Sequence, residues 1–213
     1  MKQPLPKFPG QLKKNDAVFI YGAAQKKPFL LVYKQEKIEV VHGPSCRCDK
    51  EIFIERCNKD GVDVIERRGG GGTVVLSPGM LVTIVVGQKR EKDGALDIFH
   101  RVHEAFIPAL SQAGAAGVTH EGISDLAVRG RKVLGSSLYM GSNTTFYYYQ
   151  SSLMVSCDLS LLDRYLYHPP REPNYRRGRA HSEFCANLSE FGLCVDINEL
   201  LVLIEESLKK HLT

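Results

Sequence analysis

Four consecutive glycines, at positions 69–72, lie between two apolar runs typical of short β-strands. The first run, residues 62–65, leads into the glycines through Glu66, Arg67 and Arg68, and the second run is residues 73–76. Glycines give a core no side chain and cost backbone entropy, so a sheet that keeps four of them needs its backbone close to another group. Amides beside two guanidinium groups favour an anion, most simply a phosphate. For this segment alone, a flexible hairpin with two solvated arginines is the alternative.

Residues 124–136 form the second informative segment, a predicted β-hairpin. Apolar residues flank a turn at Arg129 and Gly130: Leu126, Val128, Val133 and Leu134. Lys132 then stands near the start of the returning strand, and Asp125, at the start of the outgoing strand, lies across from it. In a phosphate site such a carboxylate orients the ammonium group and keeps it charged. An exposed hairpin with an ordinary surface lysine is the alternative.

Together the two segments resemble the motifs of the lipoate–protein ligase and biotin–protein ligase superfamily, and they are closest to lipoate–protein ligases. Residues 66–74 follow the pattern Arg-Arg-x-Ser/Thr-Gly-Gly-Gly-Ala-Val, with Arg67 at the second arginine. Residues 124–136 follow Asn-Asp-Leu…Gly-Arg-Lys-Ile/Val-Ser-Gly-Ser. The lysine of that motif is the central catalytic residue of the family, and it falls on Lys132.

The resemblance implies a set of site residues. Lys132 would be catalytic, and Asp125 would orient it. The ATP site would comprise Arg67, Arg68, Gly69, Gly70, Gly71, Gly72, Thr73, Val74, Gly135 and Ser136. The acyl group would lie against His42, Gly43, Leu76, Gln150 and Ser151. No protein ligand for a metal ion is expected among them.

The reaction that the resemblance implies is ATP-dependent ligation. A carboxylate, either lipoate or a medium-chain acid such as octanoate, would form an acyl-adenylate with ATP and Mg²⁺. The acyl group would then pass to a lysine of a lipoyl-acceptor carrier domain with an acidic surface. A separate accessory subunit is a further expected partner. Biotin is disfavoured, because glycines replace the long basic adenylate loop of biotin ligases.

Several positions depart from the family pattern. Glu66 stands at the first arginine, residues 76–77 replace a His-Asp pair, and residues 150–152 replace His-Gly-Thr/Ser. Residues 146–149 lack the cysteine that octanoyltransferases carry there, which argues against a thioester-forming transferase. Two alternatives therefore stay open. One is an ATP-independent octanoyl or lipoyl transferase of the same fold, and the other is a non-catalytic subunit that binds a lipoyl or biotinyl domain.

Composition excludes several broad classes. The chain has 213 residues, 43% of them hydrophobic and 24% charged, which is ordinary for a globular domain. No apolar stretch is long enough to span a bilayer, and no signal core is present, so we expect a cytoplasmic protein without a membrane partner. The net charge of +4 is a mild excess that suits an acidic partner. The six cysteines include no Cys-x-x-Cys pair, so we expect reduced thiols and no structural zinc.

The order of predicted elements indicates an α+β fold with a mixed, largely antiparallel sheet and covering helices. Residues 1–15 are predicted to be an N-terminal arm, and residues 16–213 one catalytic domain without a C-terminal accessory domain. Strands are predicted at 17–21, 29–33, 38–41, 73–76 and 81–86, with a further pair at 145–149 and 153–156. Helices are predicted over 98–110, from Asp158 to Leu166, and over 200–212 after an Asp196 cap. The resemblance adds the specific fold, like that of class II aminoacyl-tRNA synthetases.

Residues 168–181, here called the basic segment, carry four arginines against one glutamate and three prolines. A solvated loop is the favoured interpretation. The alternative is a basic lid or a docking surface for an acidic carrier domain. Nucleic-acid binding is the weakest option, because it relies on Tyr147, Tyr148 and Tyr149, some of which a strand would bury.

Overall fold

The computed structural model describes residues 14–24, 28–141 and 145–212. Residues 1–13 of the predicted N-terminal arm lie outside the described residues. Lys14 is fixed to the domain, because its amide donates to the Glu66 carbonyl at 2.8 Å and its ammonium pairs with Glu39. Within the described ranges, the helices are too short or too polar to cross a bilayer.

The strands, in chain order, are β1 (Phe29–Lys34), β2 (Glu39–His42), β3 (Asp63–Glu66), β4 (Val74–Leu76), β5 (Met80–Gln88), β6 (Val118–Glu121), β7 (Asp125–Val128), β8 (Arg131–Tyr139) and β9 (Phe146–Met154). The α-helices are α1 (Asp16–Ala23), α2 (Cys48–Glu51), α3 (Ile54–Asp60), α4 (Ala95–Gln112), α5 (Ser160–Tyr165), α6 (His181–Phe184) and α7 (Ile197–Leu212). Two sheets result. The large sheet is antiparallel in the order β1-β5-β9-β8-β7-β6, and the small sheet has the order β3-β2-β4.

Helices α4 and α7 pack together on one face of the large sheet, as their apolar periodicity predicts. Ile98, Val102, Phe106 and Leu110 of α4 are fully buried, and so are Leu200, Ile204 and Leu208 of α7. Each such side chain contributes about 1.5–3 kcal/mol when it leaves water. The predicted cap of α7 is confirmed, because Asp196 Oδ1 accepts the amides of Asn198 at 2.7 Å and Glu199 at 3.0 Å.

The small sheet and α1 lie on the opposite face of the large sheet. Residues 80–87 of β5 are all buried, because β5 is covered on both faces. In the small sheet, β2 runs parallel to β3 and antiparallel to β4. Residues 69–72, here called the glycine loop, therefore join the two strands that flank β2. The predicted α+β class with a largely antiparallel sheet is confirmed.

Two strand predictions are wrong. Residues 17–21 belong to helix α1, although their apolar and aromatic residues favour a strand. Phe19 packs against Tyr148 of β9, with ring centroids 4.9 Å apart, so tertiary packing overrides local propensity. The predicted strand pair at 145–149 and 153–156 is the single strand β9, because its polar middle residues pair with both neighbouring strands.

The aromatic run of β9 belongs to the core. Tyr147, Tyr148 and Tyr149 are all buried, so they offer no surface on which bases stack. Helices α2 and α3, between the two strands β2 and β3, were not predicted from the sequence. They are only four and seven residues long, which is too short for a helical period to stand out.

Candidate active site

The hairpin formed by β7 and β8 positions Lys132 as predicted. Asp125 pairs in register with Gly135, and the ladder slips by one residue between Leu126 and Ala127. Lys132 Nζ reaches Asp125 Oδ1 at 2.7 Å, with the lysine side chain 22% exposed and the aspartate side chain 8% exposed. The result is a fixed cation that remains accessible to a ligand.

Gly135 gives the Lys132 side chain its path. A Cβ atom at position 135 would stand 2.6 Å from both Cε and Nζ of Lys132. The backbone of β8 is extended there, so the reason for a glycine is space and not a left-handed conformation. The predicted ATP-site residue Gly135 therefore lets the lysine fold back toward Asp125.

Asp125 has a second partner that the sequence did not reveal. The Tyr175 hydroxyl donates to Asp125 Oδ2 at 2.8 Å. Burial, and next the charge of Asp125, raise the pKa of Tyr175, so this phenol stays protonated and donates. Both carboxylate oxygens are thus engaged, one by Lys132 and the other by Tyr175.

Most of residues 168–181 are exposed, as the interpretation of a solvated loop predicts, but Tyr175, Arg176 and His181 pack onto the domain. Arg176 and His181 are buried. Arg176 and Arg179 donate to each other's carbonyl oxygens at 2.9 Å, and Arg179 also donates to the Gly130 carbonyl at 2.9 Å. Sequence alone misses this because the arginines bind backbone carbonyls, which carry no residue signal. The basic segment therefore supports the Lys132 hairpin.

Arg67 braces the glycine loop from inside. Its guanidinium donates to the carbonyls of Val41 at 3.2 Å, Gly70 at 2.9 Å and Gly72 at 2.7 Å. The residue is only 6% exposed, and burial lowers its pKa to about 10. Within the described residues, its buried Nε has no hydrogen-bond partner. Arg67 therefore fixes the curvature of the loop through the loop's own carbonyls.

The glycines of the loop have three different environments. A Cβ atom at Gly69 would lie 2.7 Å from Ser137 Oγ, so this glycine rests on β8. Gly71 has φ +95°, a conformation that disfavours any other residue. At Gly70 and Gly72 an added Cβ would meet nothing within 4 Å. Those two positions therefore have open space where a side chain would stand, although the Gly70 amide already donates to the Leu138 carbonyl at 3.2 Å.

One face of the large sheet brings the predicted residues together. Ser137 lies opposite Gln150 on β9, and Gly135 is two residues before Ser137, so their side-chain positions share a face. Lys132 folds over Gly135 on that face, and Gly69 rests on Ser137 there. Gln150 is 8% exposed, and its buried Oε1 has no partner within the described residues. An unpaired buried acceptor in this position favours a ligand or water nearby.

Three other predicted residues lie elsewhere. Ser136 turns toward α4, where its hydroxyl lies 3.2 Å from His103 Nε2 and donates to the Ser124 carbonyl at 2.7 Å. Ser151 shares that helix-facing side by strand alternation. Arg68 pairs with Asp16 of α1, with Nε 2.6 Å from Oδ1, and stacks over Phe19. The structure does not bring these side chains to the Lys132 face.

The end of β2, where His42 and Gly43 lie, meets the glycine loop. A Cβ atom at Gly43 would lie 2.4 Å from the Gly71 carbonyl oxygen, so the two backbones touch. Thr73, at the far end of the loop, donates to Glu51 Oε2 at 2.9 Å and lies 3.2 Å from Cys46 Sγ. Val74 and Leu76 pack into the apolar cluster between the sheets. Residues 42–48 and 73–76 thus form a wall beside the loop.

The comparisons with known proteins agree with this geometry. The sequence profile of the lipoyl protein ligase A/B catalytic domain matches residues 16–209. The chain belongs to this family. The β7–β8 hairpin with Lys132, the glycine loop and the large sheet are thus parts of a lipoyl protein ligase A/B catalytic domain. The predicted resemblance to lipoate–protein ligases is confirmed.

Individual proteins that are similar to this chain in sequence or in structure are also lipoate–protein ligases. A lipoate–protein ligase of Streptococcus pyogenes serotype M5 (strain Manfredo) is 28% identical over 134 residues, which is 63% of this chain and 38% of that protein. The chain therefore spans well under half the length of this curated relative. The bi-partite lipoate protein ligase of Thermoplasma acidophilum, studied with its E2 lipoyl domain, has a similar fold, with TM-score 0.75 and 23% identity over 88% of this chain and 72% of that one. A lipoate-protein ligase A bound with ATP has TM-score 0.73 and 22% identity, covering 88% and 73% of the two chains.

Two further groups near the hairpin of this family member were missed at the sequence level. The amide of Ala186 donates to the Lys132 carbonyl at 2.9 Å, and Cys185 forms a parallel bridge with Lys132. The Cys185 thiol is buried, and burial raises its pKa although Lys132 and Arg176 act in the opposite direction. A cysteine 53 positions later along the chain carries no motif that links it to the lysine.

The second group is a histidine chain behind the sheet. His103 is fully buried, and its Nδ1 lies 3.2 Å from His120 Nδ1, while His120 Nε2 lies 3.2 Å from Glu104 Oε1. Burial, together with the positive charges of His120, His100 and Lys132, lowers the pKa of His103 to about 3. His103 is therefore neutral at physiological pH and supports Ser136 from the helix side.

Proposed function

We propose that this chain is the catalytic domain of an ATP-dependent lipoate, or medium-chain acyl, protein ligase. In the first half-reaction the acid's carboxylate oxygen attacks the α-phosphorus of ATP, which forms the acyl-adenylate and releases pyrophosphate. In the second half-reaction a carrier lysine amine attacks the acyl carbon, which forms the amide, releases AMP and gives up the amine proton. Both steps build negative charge on oxygens that need a fixed positive partner.

The observation that carries the proposal is the Lys132–Asp125 pair on the sheet face where the glycine loop rests. The 2.7 Å contact with Asp125 holds the Lys132 ammonium in one position, where it acts as a point charge and not as a nucleophile. In this position it bridges a carboxylate oxygen of the acid and an oxygen of the α-phosphate. Tyr175 keeps Asp125 in place for that task.

The glycine loop supplies the phosphate surface. Gly72 faces open space, so a phosphate approaches its backbone without meeting a side chain, whereas the amide of Gly70 is already bonded to the Leu138 carbonyl. Arg67 fixes the shape of the loop by binding its carbonyls, and so acts on phosphate through loop shape. The acyl chain lies against the wall formed by residues 42–48 and 73–76, with Gln150 as a polar group at the sheet.

Both oxygens of Asp125, the carboxylate that pairs with Lys132, are already engaged, by Lys132 and Tyr175. Among the described residues we therefore assign no protein ligand to Mg²⁺. Mg²⁺ enters as part of the nucleotide, bound by the phosphates and water, as is common for this ion.

The acceptor is a lipoyl carrier domain with an acidic surface, which the net charge of +4 suits. The Thermoplasma acidophilum relative is bi-partite and was studied with its E2 lipoyl domain. By analogy we propose that this chain acts on such a carrier and gains activity from a second, accessory subunit.

Intact-mass measurement of the carrier tests the proposal. The purified chain is incubated with Mg-ATP, an apo lipoyl domain and lipoate, octanoate or biotin in separate tubes, with and without a candidate accessory subunit. We expect a mass gain with lipoate or octanoate that requires ATP. Lys132→Ala should lower the rate about 10²–10³-fold and keep the fold, whereas Lys209→Ala, an exposed lysine on α7, should leave it unchanged. Full turnover by Lys132→Ala would refute the assignment.

One rival, the ATP-independent acyl transferase, would use the Cys185 thiol because it lies beside Lys132, although burial raises the pKa of this thiol and so disfavours the thiolate. In that reaction the thiolate attacks the acyl carbon of a donor, the donor's group leaves with a proton, and the carrier amine then displaces the thiolate. An acylated donor domain without ATP is the test mixture, and Cys185→Ser is the variant. Ligation by the Cys185→Ser variant with ATP supports the ligase, whereas acyl transfer without ATP that disappears in this variant supports the rival. Lack of nucleotide binding and of both reactions would favour the binding-only subunit.

A further inference from the structure

A histidine and two cysteines converge at the end of β2, within residues 42–48 of the wall described above. One ring nitrogen of His42 and the sulfurs of Cys46 and Cys48 all lie within 4.8 Å of one another. All three residues are partly exposed, so the cluster is reachable from solvent. We propose that His42, Cys46 and Cys48 form a binding site for a thiophilic divalent cation, with Zn²⁺ as its first candidate.

The sulfur geometry fits such an ion. The sulfurs of Cys46 and Cys48 are 3.8 Å apart. A tetrahedral zinc ion with Zn–S bonds of about 2.3 Å holds two sulfurs about 3.8 Å from each other. The two thiols therefore already stand at the spacing of two corners of a zinc site.

The histidine is held in the tautomer that a metal ligand needs. Its Nδ1 lies 3.0 Å from the Gly43 carbonyl oxygen, which accepts only, so Nδ1 carries the hydrogen. The lone pair of the neutral ring is then on Nε2. Histidine ligands of metal ions commonly donate their other N–H to a backbone carbonyl in this way.

The surroundings supply an outer layer of partners. Thr73 Oγ1 lies 3.2 Å from Cys46 Sγ and donates to Glu51 Oε2, so a carboxylate supports the cluster through the threonine. Two thiolates, a neutral imidazole and a divalent cation carry no net charge. Such a site therefore adds no charge beside the buried guanidinium of Arg67.

Three protein ligands leave one position for water or another donor. No Cys-x-x-Cys motif marks the site in the sequence, because its cysteines are separated by one residue and the histidine comes from a strand. The position of the site in the fold gives metal binding a structural consequence. Binding would fasten residues 42–48, whose Gly43 touches the carbonyl of Gly71, and would stiffen the wall beside the glycine loop.

Metal titration tests the proposal without any use of ligase activity, so it stands or falls separately from the proposed function. Reduced, metal-free protein is titrated with Zn²⁺ against a chromophoric chelator and with Co²⁺, whose thiolate charge-transfer absorption reports sulfur ligands. We expect one equivalent of Zn²⁺, a higher Tm with Zn²⁺, and thiolate absorption with Co²⁺. The double variant Cys46→Ser/Cys48→Ser should bind at least about 100-fold more weakly, and His42→Ala about 10- to 100-fold more weakly. Cys194→Ser, at an exposed free cysteine, is the matched control and should bind as the parent does.

Alkylation mapping keeps the test decisive if a variant does not fold. In the parent protein, Zn²⁺ should protect Cys46 and Cys48 from alkylation and leave Cys194 reactive. Binding of less than one equivalent, equal affinity in the double cysteine variant, or no protection would overturn the proposal. A Cys46–Cys48 disulfide formed in air, with no metal uptake after reduction, would also overturn it and would indicate a thiol pair instead.

Discussion

At the scale of single residues, the position of one ammonium group decides the chemistry that this chain supports. Lys132 reaches Asp125 only because residue 135 has no Cβ, and Asp125 is itself held by Tyr175. Asp125 and Gly135, both on the hairpin, and Tyr175 from a later part of the chain thus fix the position of one charge. A small change at any of them should alter catalysis more than stability.

Gly135→Ala tests this dependence. The new methyl group would lie 2.6 Å from Cε and Nζ of Lys132, so the flexible end of the lysine must move away from Asp125. We expect about a hundredfold lower rate of adenylate formation, since a displacement of about 1 Å has that effect, with less than about 1 kcal/mol lost in stability. Pyrophosphate release measures the rate. In a Lys132→Ala background, Gly135→Ala should have no further effect, and an additive loss would contradict the explanation.

At the scale of elements, the glycine loop keeps its shape through a buried cation and not through packing. Arg67 binds three carbonyls, two of them within the loop, whereas its neighbour Arg68, partly exposed, pairs with the buried Asp16 of α1. Adjacent arginines in one motif therefore have different tasks. Arg67 closes the loop onto β2, and Arg68 fastens α1 to the domain.

Substituting each arginine by lysine separates the two tasks. Lysine keeps the charge but lacks the planar fork that reaches several carbonyls at once. Arg67→Lys should lower the free energy of unfolding in urea by about 1–3 kcal/mol and weaken nucleotide binding, because buried carbonyls lose their donor. Arg68→Lys, the comparison variant, should cost less, about 1 kcal/mol, because lysine keeps the charge beside Asp16 and loses one of the two hydrogen bonds to that carboxylate. Equal losses for the two variants would argue against the brace.

At the scale of the whole molecule, the histidine chain behind the large sheet makes stability depend on pH. The pKa of His103 is lowered to about 3 in the folded protein, against about 6.5 in an unfolded chain. Between these pH values the unfolded state binds one proton more than the folded state at this histidine. The contribution of His103 to the free energy of unfolding is therefore fully present above about pH 6.5 and is lost as the pH falls toward 3. The lowered pKa of His181 acts with the same sign.

Urea unfolding at pH 7 and pH 5 measures the effect. We expect His103 to account for a loss of about 2 kcal/mol over that interval, since one proton contributes about 1.4 kcal/mol per pH unit below 6.5. His103→Gln should be less stable at pH 7 but lose less on acidification. His211→Gln, at an exposed histidine near the end of α7, should keep the parent's pH dependence. If the free energy of unfolding of His103→Gln changes with pH as much as that of the parent, other groups control the pH dependence.

The elements that local sequence predicts best are those whose signal lies within a few residues. The periodicity of α4 and α7, the hairpin of β7 and β8 and the glycine loop all belong to this class. The Lys132–Asp125 pair was predictable because a short turn places both residues on one hairpin. Helix α1 was not, because its strand-like residues are held helical by contacts with distant β9. Local patterns cannot contain such contacts.

By itself, then, the sequence determined the α+β class, the Lys132–Asp125 pair on its hairpin, and the family to which the chain belongs. Only the tertiary structure decided that Tyr175 and Cys185 lie beside the hairpin, that Arg67 turns inward to carbonyls, and that Ser136 faces a helix. It also brought His42 to two cysteines. The physical reason is that strand alternation and hairpin turns act over a few residues, whereas partners across sheets depend on how the whole chain packs.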